Sequence, residues 1–165
     1  MPKIADFANK NGLFANISIF PLILIAPKKP RYNTENDLTS NDLSGVPFVM
    51  PEKGQLRYEV EKFFQSLEVP PHIYSEISGH EAIVSITALG FGISVVPRLV
   101  YDISPFKNDV VVVKELPWSN FRVALCSLKS RAKNPNIKIV HDLARRLAPS
   151  FSPDLTRRRT DLGIM

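Results

Sequence analysis

The stretch from Ser78 to Pro97 constrains the fold of this chain more than any other, because it predicts a helix, a turn and a strand in succession. Ser78 and Glu81 have the spacing of a capping box, in which two side chains satisfy backbone donors at a helix start. Gly90 stands where a helix end favours a left-handed backbone. The apolar run Ile93–Val96 suits a strand that is buried on both faces. The segment therefore predicts a helix whose open amino end lies at the rim of an α/β sheet, where such sheets bind small molecules and anions.

Length and composition place the chain among ordinary globular proteins. Its 165 residues are 44% hydrophobic and 22% charged, which is enough for one domain with a buried core. The formal net charge is +5, and basic residues gather near both ends of the chain, at Lys28, Lys29, Arg31, Arg145, Arg146 and Arg157–Arg159. We interpret these runs as solvated surface and a basic tail, with nucleic acid or another anionic partner as the alternative.

Cysteine use and the lack of a cleavable leader favour a cytoplasmic protein. The single Cys126 excludes an intrachain disulfide, and we interpret it as a small buried hydrophobic residue. The longest apolar stretch, 17–27, is too short to span a bilayer, and Pro21 within it argues against a signal peptide. We therefore expect no membrane partner.

Strands and helices alternate in the middle of the chain, which is typical of βαβ units with parallel strands. An amphipathic helix is predicted from Leu56 to Leu67, between strands at Val46–Met50 and His72–Ile77. Intervening helices are missing after residue 110, so we expect a mixed sheet. The other predicted elements are strands at Ile17–Ile19, Leu22–Ile25, Val110–Val113 and Phe121–Leu128, a helical turn at Arg98–Asp102 and a helix with its N-cap at Asn134.

The same pattern suggests where the folded part begins and ends. We expect an irregular segment over residues 1–16, the domain over 17–148 and a flexible basic tail over 149–165. A long polar loop is expected at 27–42.

Two helix starts in this pattern are candidate sites for an anionic ligand. In a parallel sheet both would lie at the same edge, with unpaired N–H groups facing outward. The residues expected there are Met50, Gly54, Gln55 and Arg57 at the first start, and Gly79, His80 and Glu81 at the second. Glycine lets the backbone approach a ligand, Arg57 offers a fork to a carboxylate, and a neutral His80 can form a hydrogen bond. The alternative is purely structural: Gly54 only makes a turn, Arg57 is a solvated helix residue, and Ser78 and Glu81 are used up as caps.

The sequence contains no motif of a known catalytic site. It has no nucleophile elbow, P-loop or zinc-binding helix motif, and its three histidines are scattered. We therefore expect neither an enzyme nor a metal site, and no cofactor. No helix-turn-helix is recognisable in the chain either.

Several segments resemble the effector-binding domain of LysR-type transcriptional regulators. The resemblance covers about residues 16–148 and rests on Leu22–Pro27, Asp42–Met50, Gly79–Ser85, Ala88–Ile93 and Val96–Pro97. The pattern A-L-G-x-G-I-x-x-x-P is typical of the family. The segment Gly79–Ser85, which reads G-H-E-A-I-V-S, together with Ser104–Val112, resembles the subgroup that activates the ketol-acid reductoisomerase gene of isoleucine–valine biosynthesis.

The resemblance implies an α/β fold of the type 2 periplasmic-binding-protein class. Such regulators have two α/β subdomains with the effector in the cleft between them. This chain resembles the second, Rossmann-like subdomain with its crossing strands and terminal helix, and most of the first subdomain is missing. For the subgroup, the implied effectors are the anionic hydroxy-keto acids acetolactate and acetohydroxybutyrate. The implied partners are this effector, a second copy of the chain in a homo-oligomer, and DNA through a domain that the chain does not contain.

The missing part of the effector domain leads to one further expectation, and two other functions stay open. Because the rest of the effector domain is absent, we expect uncovered apolar surface that promotes dimerisation or instability. A fragment of a solute-binding protein from a transport system is the main alternative function, and the missing signal peptide counts against it. An enzyme of the same two-lobed fold is the third candidate, and the chain lacks an acid–base pair or nucleophile that would support it.

Overall fold

The computed structural model describes residues 12–29, 43 and 45–148, with the side chains of 117–119 left out. Residues 1–11 of the predicted irregular segment, residues 30–42 of the predicted loop at 27–42 and the predicted tail at 149–165 lie outside these residues. The strands are β1 (Gly12–Pro27), β2 (Pro47–Pro51), β3 (His72–Ile77), β4 (Ser94–Pro97) and β5 (Val110–Leu128), and the helices are α1 (Gly54–Ser66), α2 (His80–Ala88), α3 (Arg98–Ile103) and α4 (Pro135–Leu147). Two short 3₁₀ turns, Lys107–Asp109 and Lys129–Arg131, flank β5.

The chain divides into two compact units, and all the candidate site residues lie in the second. Of the described residues, 12–20 and 122–148 belong to the first unit, and the described part of 21–121 forms the second. The long strands β1 and β5 each contribute residues to both units.

The second unit is built around a hydrophobic core that strands share with the inner faces of α1 and α2. All of β4 is buried, as its uninterrupted apolar sequence predicts. Phe64 of α1 meets Phe48 of β2 edge to face, with the ring centroids 4.9 Å apart. The two helices bury apolar stripes with helical spacing, Leu56, Val60, Phe63 and Phe64 on α1 and Ile83, Val84 and Thr87 on α2.

Strand pairing confirms the predicted βαβ unit, but the parallel and antiparallel pairs belong to two sheets, β2–β3 and β4–β1–β5, rather than to one mixed sheet. β2 and β3 are parallel neighbours, with a register from Pro47 opposite His72 to Pro51 opposite Ile77. β1 pairs antiparallel with β4 and lies between β4 and β5. Just before β4, Ile93 forms an isolated parallel bridge with Phe48. Parallel and antiparallel pairs therefore occur in the same unit.

Both central helices end in the same hydrogen-bonded turn. After α2, Gly90 has a φ of +92°, and the N–H groups of Gly90 and Phe91 donate to Thr87 and Ile86, as the glycine signal predicts. After α1, Glu68 occupies the equivalent position with a φ of +55°. The sequence gives no indication of this second turn, because a glutamate is disfavoured in that conformation.

Two predicted strand breaks are wrong, since β1 and β5 are continuous. Pro21 does not interrupt β1, because the pairing with β4 runs from Leu22 to Ile25 and the missing N–H removes none of these ladder contacts. β1 also starts at Gly12, so the predicted irregular segment does not extend over residues 12–16. β5 likewise runs through 114–120, where the sequence indicated an interruption.

The first unit confirms the predicted C-terminal helix and corrects the prediction for Cys126. The side chain of Asn134 accepts a hydrogen bond from the Asn136 N–H at 2.9 Å, which is the expected N-cap. Cys126 is exposed rather than buried, because the described residues of this unit leave its side of β5 uncovered. Four large apolar side chains of α4 are exposed, at Ile139, Val140, Leu143 and Leu147.

Candidate functional site

The two candidate helix starts lie at the same edge of the parallel pair β2–β3. The strands end side by side, with Pro51 opposite Ile77, and the Glu52 N–H extends the ladder by donating to the Ile77 carbonyl at 2.9 Å. α1 begins three residues after β2, and α2 begins three residues after β3. We call this edge, from Pro51 to Arg57 and from Ile77 to Glu81, the rim.

The first helix start is formed by a glycine turn without a side-chain cap. Lys53 is the N-cap residue, and its side chain has no acceptor that could cap the helix. Gly54 has a φ of +90°. No acidic residue occupies the first turn of α1. The N–H groups of the first turn of a helix have no partner within the helix, so they are available to an anion.

Arg57, the expected carboxylate fork, is already engaged within the chain. Its Nε donates to Glu61 at 2.8 Å, and its Nη1 donates to Glu76 at 2.7 Å. The same Nη1 also approaches the carbonyls of Pro51 at 3.3 Å and Glu52 at 3.2 Å. The hydrogen bonds to Glu76 and then Glu61 raise the pKa of Arg57 above its ordinary value, so the guanidinium stays cationic.

The second helix start corrects the predicted capping box. Gly79, with a φ of +96°, is the N-cap residue of α2, and no side chain caps the helix. The box requires Ser78 at the N-cap, but the helix begins two residues later, at His80. Glu81 lies in the first turn of the helix, and its carbonyl accepts a hydrogen bond from Ser85.

The ring of His80 rests on an aromatic side chain from another strand. Its centroid lies 5.5 Å from that of Phe121, with the planes at 84°, which is an edge-to-face arrangement. His80 is half-buried, whereas Ser78, Gly79 and Glu81 are exposed. The second start therefore combines exposed backbone donors with one imidazole and an apolar ring.

Charges at the rim are balanced in the described residues. Lys53 pairs with Glu52 at 3.8 Å, and Arg57 pairs with both Glu61 and Glu76. No cation at this edge of the described structure is left without a carboxylate. An anion at the rim would thus depend on backbone N–H groups rather than on a free positive side chain.

The remaining expected site residues fall in different environments. Met50 is only 1% exposed and belongs to the core, so its side chain lies beneath the rim. Gln55 is exposed and donates to Glu59 at 2.6 Å. The sequence reasoning missed Glu61, Glu76 and Phe121. The i,i+4 spacing of Arg57 and Glu61 is a visible signal, but the other two contacts join residues far apart in the sequence.

Two open concavities lie elsewhere on the described surface. One, of about 310 Å³, lies at the carboxyl end of α1 and is lined by residues of 61–71. The other, of about 400 Å³, is formed in the first unit by β5 and α4. Neither is lined by any of the seven expected site residues.

The described residues contain no group of three or more His, Cys, Asp or Glu side chains that could hold a metal ion. None of the described helices is long and apolar enough to cross a membrane.

Comparison with known proteins identifies the family. The model of the LysR substrate binding domain matches residues 16–149. The chain belongs to the LysR substrate-binding domain family. Its strands and helices form the α/β architecture of the type 2 periplasmic-binding-protein class that these domains share, which confirms the fold expected from the resemblance.

Relatives of this LysR domain include one transcriptional activator and one transcriptional regulator, both named IlvY. The chain is 32% identical over 129 residues to the HTH-type transcriptional activator IlvY of Salmonella typhimurium, covering 75% of this chain and 44% of that protein. It is 32% identical over 130 residues to the HTH-type transcriptional regulator IlvY of Escherichia coli K12, covering 76% and 44%. The chain thus spans less than half the length of the curated relatives it matches.

Solved structures of LysR regulators have the same fold. The CcmR regulatory domain of Synechocystis PCC6803, in complex with 2-PG, superposes with a TM-score of 0.74 at 20% identity, covering 87% of this chain and 70% of that one. The effector binding domain of QuiR in complex with shikimate gives a TM-score of 0.71 at 19% identity, covering 93% and 70%. At these identities the similarity supports the fold alone.

Proposed function

We propose that this chain is the effector-sensing part of a LysR-type transcriptional activator and that it binds a small carboxylate at the rim. The observation that carries the proposal is the pair of uncapped helix starts, Gly54 and Gly79, at the ends of adjacent parallel strands. Two such starts direct N–H groups and the positive ends of two helix dipoles toward one edge, which favours a carboxylate.

For the effector we propose an anionic hydroxy-keto acid, acetolactate or acetohydroxybutyrate. Two relatives carry the name IlvY, one an activator and one a regulator, and the segment Gly79–Ser85 resembles the subgroup that controls isoleucine–valine biosynthesis. In this proposal the carboxylate accepts hydrogen bonds from the first-turn N–H groups of α1 and α2. His80 bonds the hydroxyl or keto oxygen, and Phe121 contacts the short alkyl group.

The same proposal assigns the remaining partners. The chain acts as a homo-oligomer, and its DNA contacts are made by a domain outside it. It is a cytoplasmic binding module rather than an enzyme. The matched relatives are transcription regulators, which gives no support to the alternative of a solute-binding protein for transport.

Calorimetric titration of the 165-residue chain with acetolactate tests the proposal. We expect binding by the wild-type chain and about tenfold weaker binding by His80→Ala, because one hydrogen bond to the ligand is lost. His72→Ala is the matched control: this exposed histidine lies at the opposite end of β3 and contacts the Gly45 carbonyl. The proposal fails if the wild-type chain does not bind, or if His80→Ala and His72→Ala bind equally well.

A further inference from the structure

The contacts of Arg57 connect three segments, namely the turn before α1, α1 itself and β3. Nη1 reaches the carbonyls of Pro51 and Glu52 in the turn before α1, and the carboxylate of Glu76 on β3. Nε reaches Glu61, one turn further along α1. One guanidinium therefore ties the first helix start to the strand that leads into the second.

We propose that Arg57 is a positioning residue, which holds the two helix starts in a fixed relation and does not itself contact the effector. The proposal rests on the proposed function of the same rim. A two-point contact needs Nη2 together with Nε or Nη1, and both Nε and Nη1 are already bonded to carboxylates. A two-point contact with an effector carboxylate would thus first have to break these ion pairs.

The chemistry of the link requires an arginine. A guanidinium is planar and presents several N–H groups in fixed directions, so it can bond two carboxylates and two carbonyls at once. A lysine at position 57 keeps the charge but has a single nitrogen and cannot span these groups. The backbone bond from Glu52 to Ile77 also joins the ends of the two strands.

The solvent exposure of these ion pairs separates a positioning role from a stabilising one. The carboxylate side chains of Glu61 and Glu76 are 45% and 46% exposed. Ion pairs this exposed contribute little to folding stability, because water screens them and holding the side chains costs entropy. Their removal should thus change the geometry of the rim more than the stability of the domain.

Glu76→Gln and Glu61→Gln form a matched pair for the experiment. Each removes one carboxylate from the same guanidinium, but only Glu76 lies on the other strand. We expect Glu76→Gln to weaken acetolactate binding about tenfold and Glu61→Gln to weaken it less than about twofold. Both variants should melt within about 2 °C of the wild-type chain. Arg57→Lys should bind as weakly as Glu76→Gln.

A direct contact between Arg57 and the effector predicts a different change in affinity for Glu76→Gln. If the guanidinium bound the effector through its fork, Glu76→Gln would release the guanidinium and leave binding unchanged or tighter, whereas Arg57→Lys would weaken binding in either case. Unchanged or tighter binding by Glu76→Gln, with a wild-type chain that binds, overturns the proposal.

A second measurement needs no effector and so separates this proposal from the proposed function. In NMR spectra of the unliganded chain, Glu76→Gln should shift the amide signals of both Gly54 and Gly79, whereas Glu61→Gln should shift only that of Gly54. Failure of the wild-type chain to bind acetolactate would contradict the proposed function alone. Unchanged Gly79 and Gly54 signals in Glu76→Gln would contradict the positioning role.

Discussion

The two strand–helix pairs of the second unit, β2–α1 and β3–α2, have similar helix starts but different surroundings. Each helix has a glycine with positive φ at its start, Gly54 as the first residue of α1 and Gly79 as the N-cap of α2, and neither helix has a side-chain cap. At the first start, Arg57 ties the turn to Glu61 and Glu76. At the second start, the described neighbour is the ring of Phe121 against His80. The first start is thus held by polar links, and the second is bordered by an apolar surface.

A helix start and a nearby cation therefore need not bind a ligand together. An arginine beside a helix start suggests a carboxylate receptor, yet Arg57 has its charge satisfied by the protein. We therefore expect the two starts to contribute differently: the first as a fixed support and the second as the place where His80 discriminates between ligands.

The largest expected effect concerns how α1 is held against its strand. Phe64→Ala removes a buried ring that meets Phe48 edge to face, and we expect a loss of about 4 kcal/mol in the free energy of unfolding. Tyr58→Ala, on the same helix but 45% exposed, should cost about 0.5 kcal/mol. Urea denaturation measures both, and equal losses would contradict the assigned orientation of α1.

Next come the glycines at the two helix starts. Gly54→Ala and Gly79→Ala force an alanine into a backbone conformation with φ near +90°, although no atom stands within 4 Å of either added methyl carbon. Backbone strain alone should cost about 2 kcal/mol at each position. Similar losses in thermal unfolding would support the equivalence of the two starts. A loss at only one of them would show that their construction differs.

A smaller effect distinguishes the ends of the two helices. Glu68→Gly removes the backbone strain of a non-glycine residue at φ +55° and should stabilise the domain by about 1 kcal/mol. Gly90→Ala introduces the corresponding strain after α2 and should destabilise it by about as much. Chemical denaturation of both variants checks the pair, and a destabilising Glu68→Gly would refute the assigned turn.

The smallest expected effect is that of salt on effector binding. Since every described cation at the rim is paired, we expect the affinity for acetolactate to change less than about threefold between 0.05 and 0.5 M salt. Calorimetry at several salt concentrations measures this. A steep loss of affinity would indicate an unpaired cation in contact with the effector.

Much of the fold follows from the sequence because local signals and apolar spacing agree. The stripe of Leu56, Val60, Phe63 and Phe64 predicted α1, and Gly90 predicted the end of α2. Prolines were less reliable guides: Pro21 lies next to the part of β1 that pairs with β4 and removes none of those ladder contacts. The capping-box signal was wrong because Gly79 took the N-cap position instead of Ser78.

The candidate site was only partly predictable. The sequence placed Gly54 and Gly79 after two strands, and the parallel pairing brought both to one edge. It did not reveal that Glu76 would bind Arg57 or that Phe121 would meet His80, because those contacts depend on strand register and on a residue some forty positions away. Exposed Cys126 was missed for a similar reason, since its apolar neighbours in sequence did not show which face the fold would cover.

The most direct test of the account follows backbone amides in the NMR spectrum of the 165-residue chain during titration with acetolactate. If the rim binds the carboxylate, the largest shifts occur at the first-turn amides of α1 and α2, from Gly54 and from His80 onward, and the His80 ring signals shift with them. If the largest shifts instead fall at the concavity of residues 61–71, or no amide at the rim moves, the central claim is contradicted.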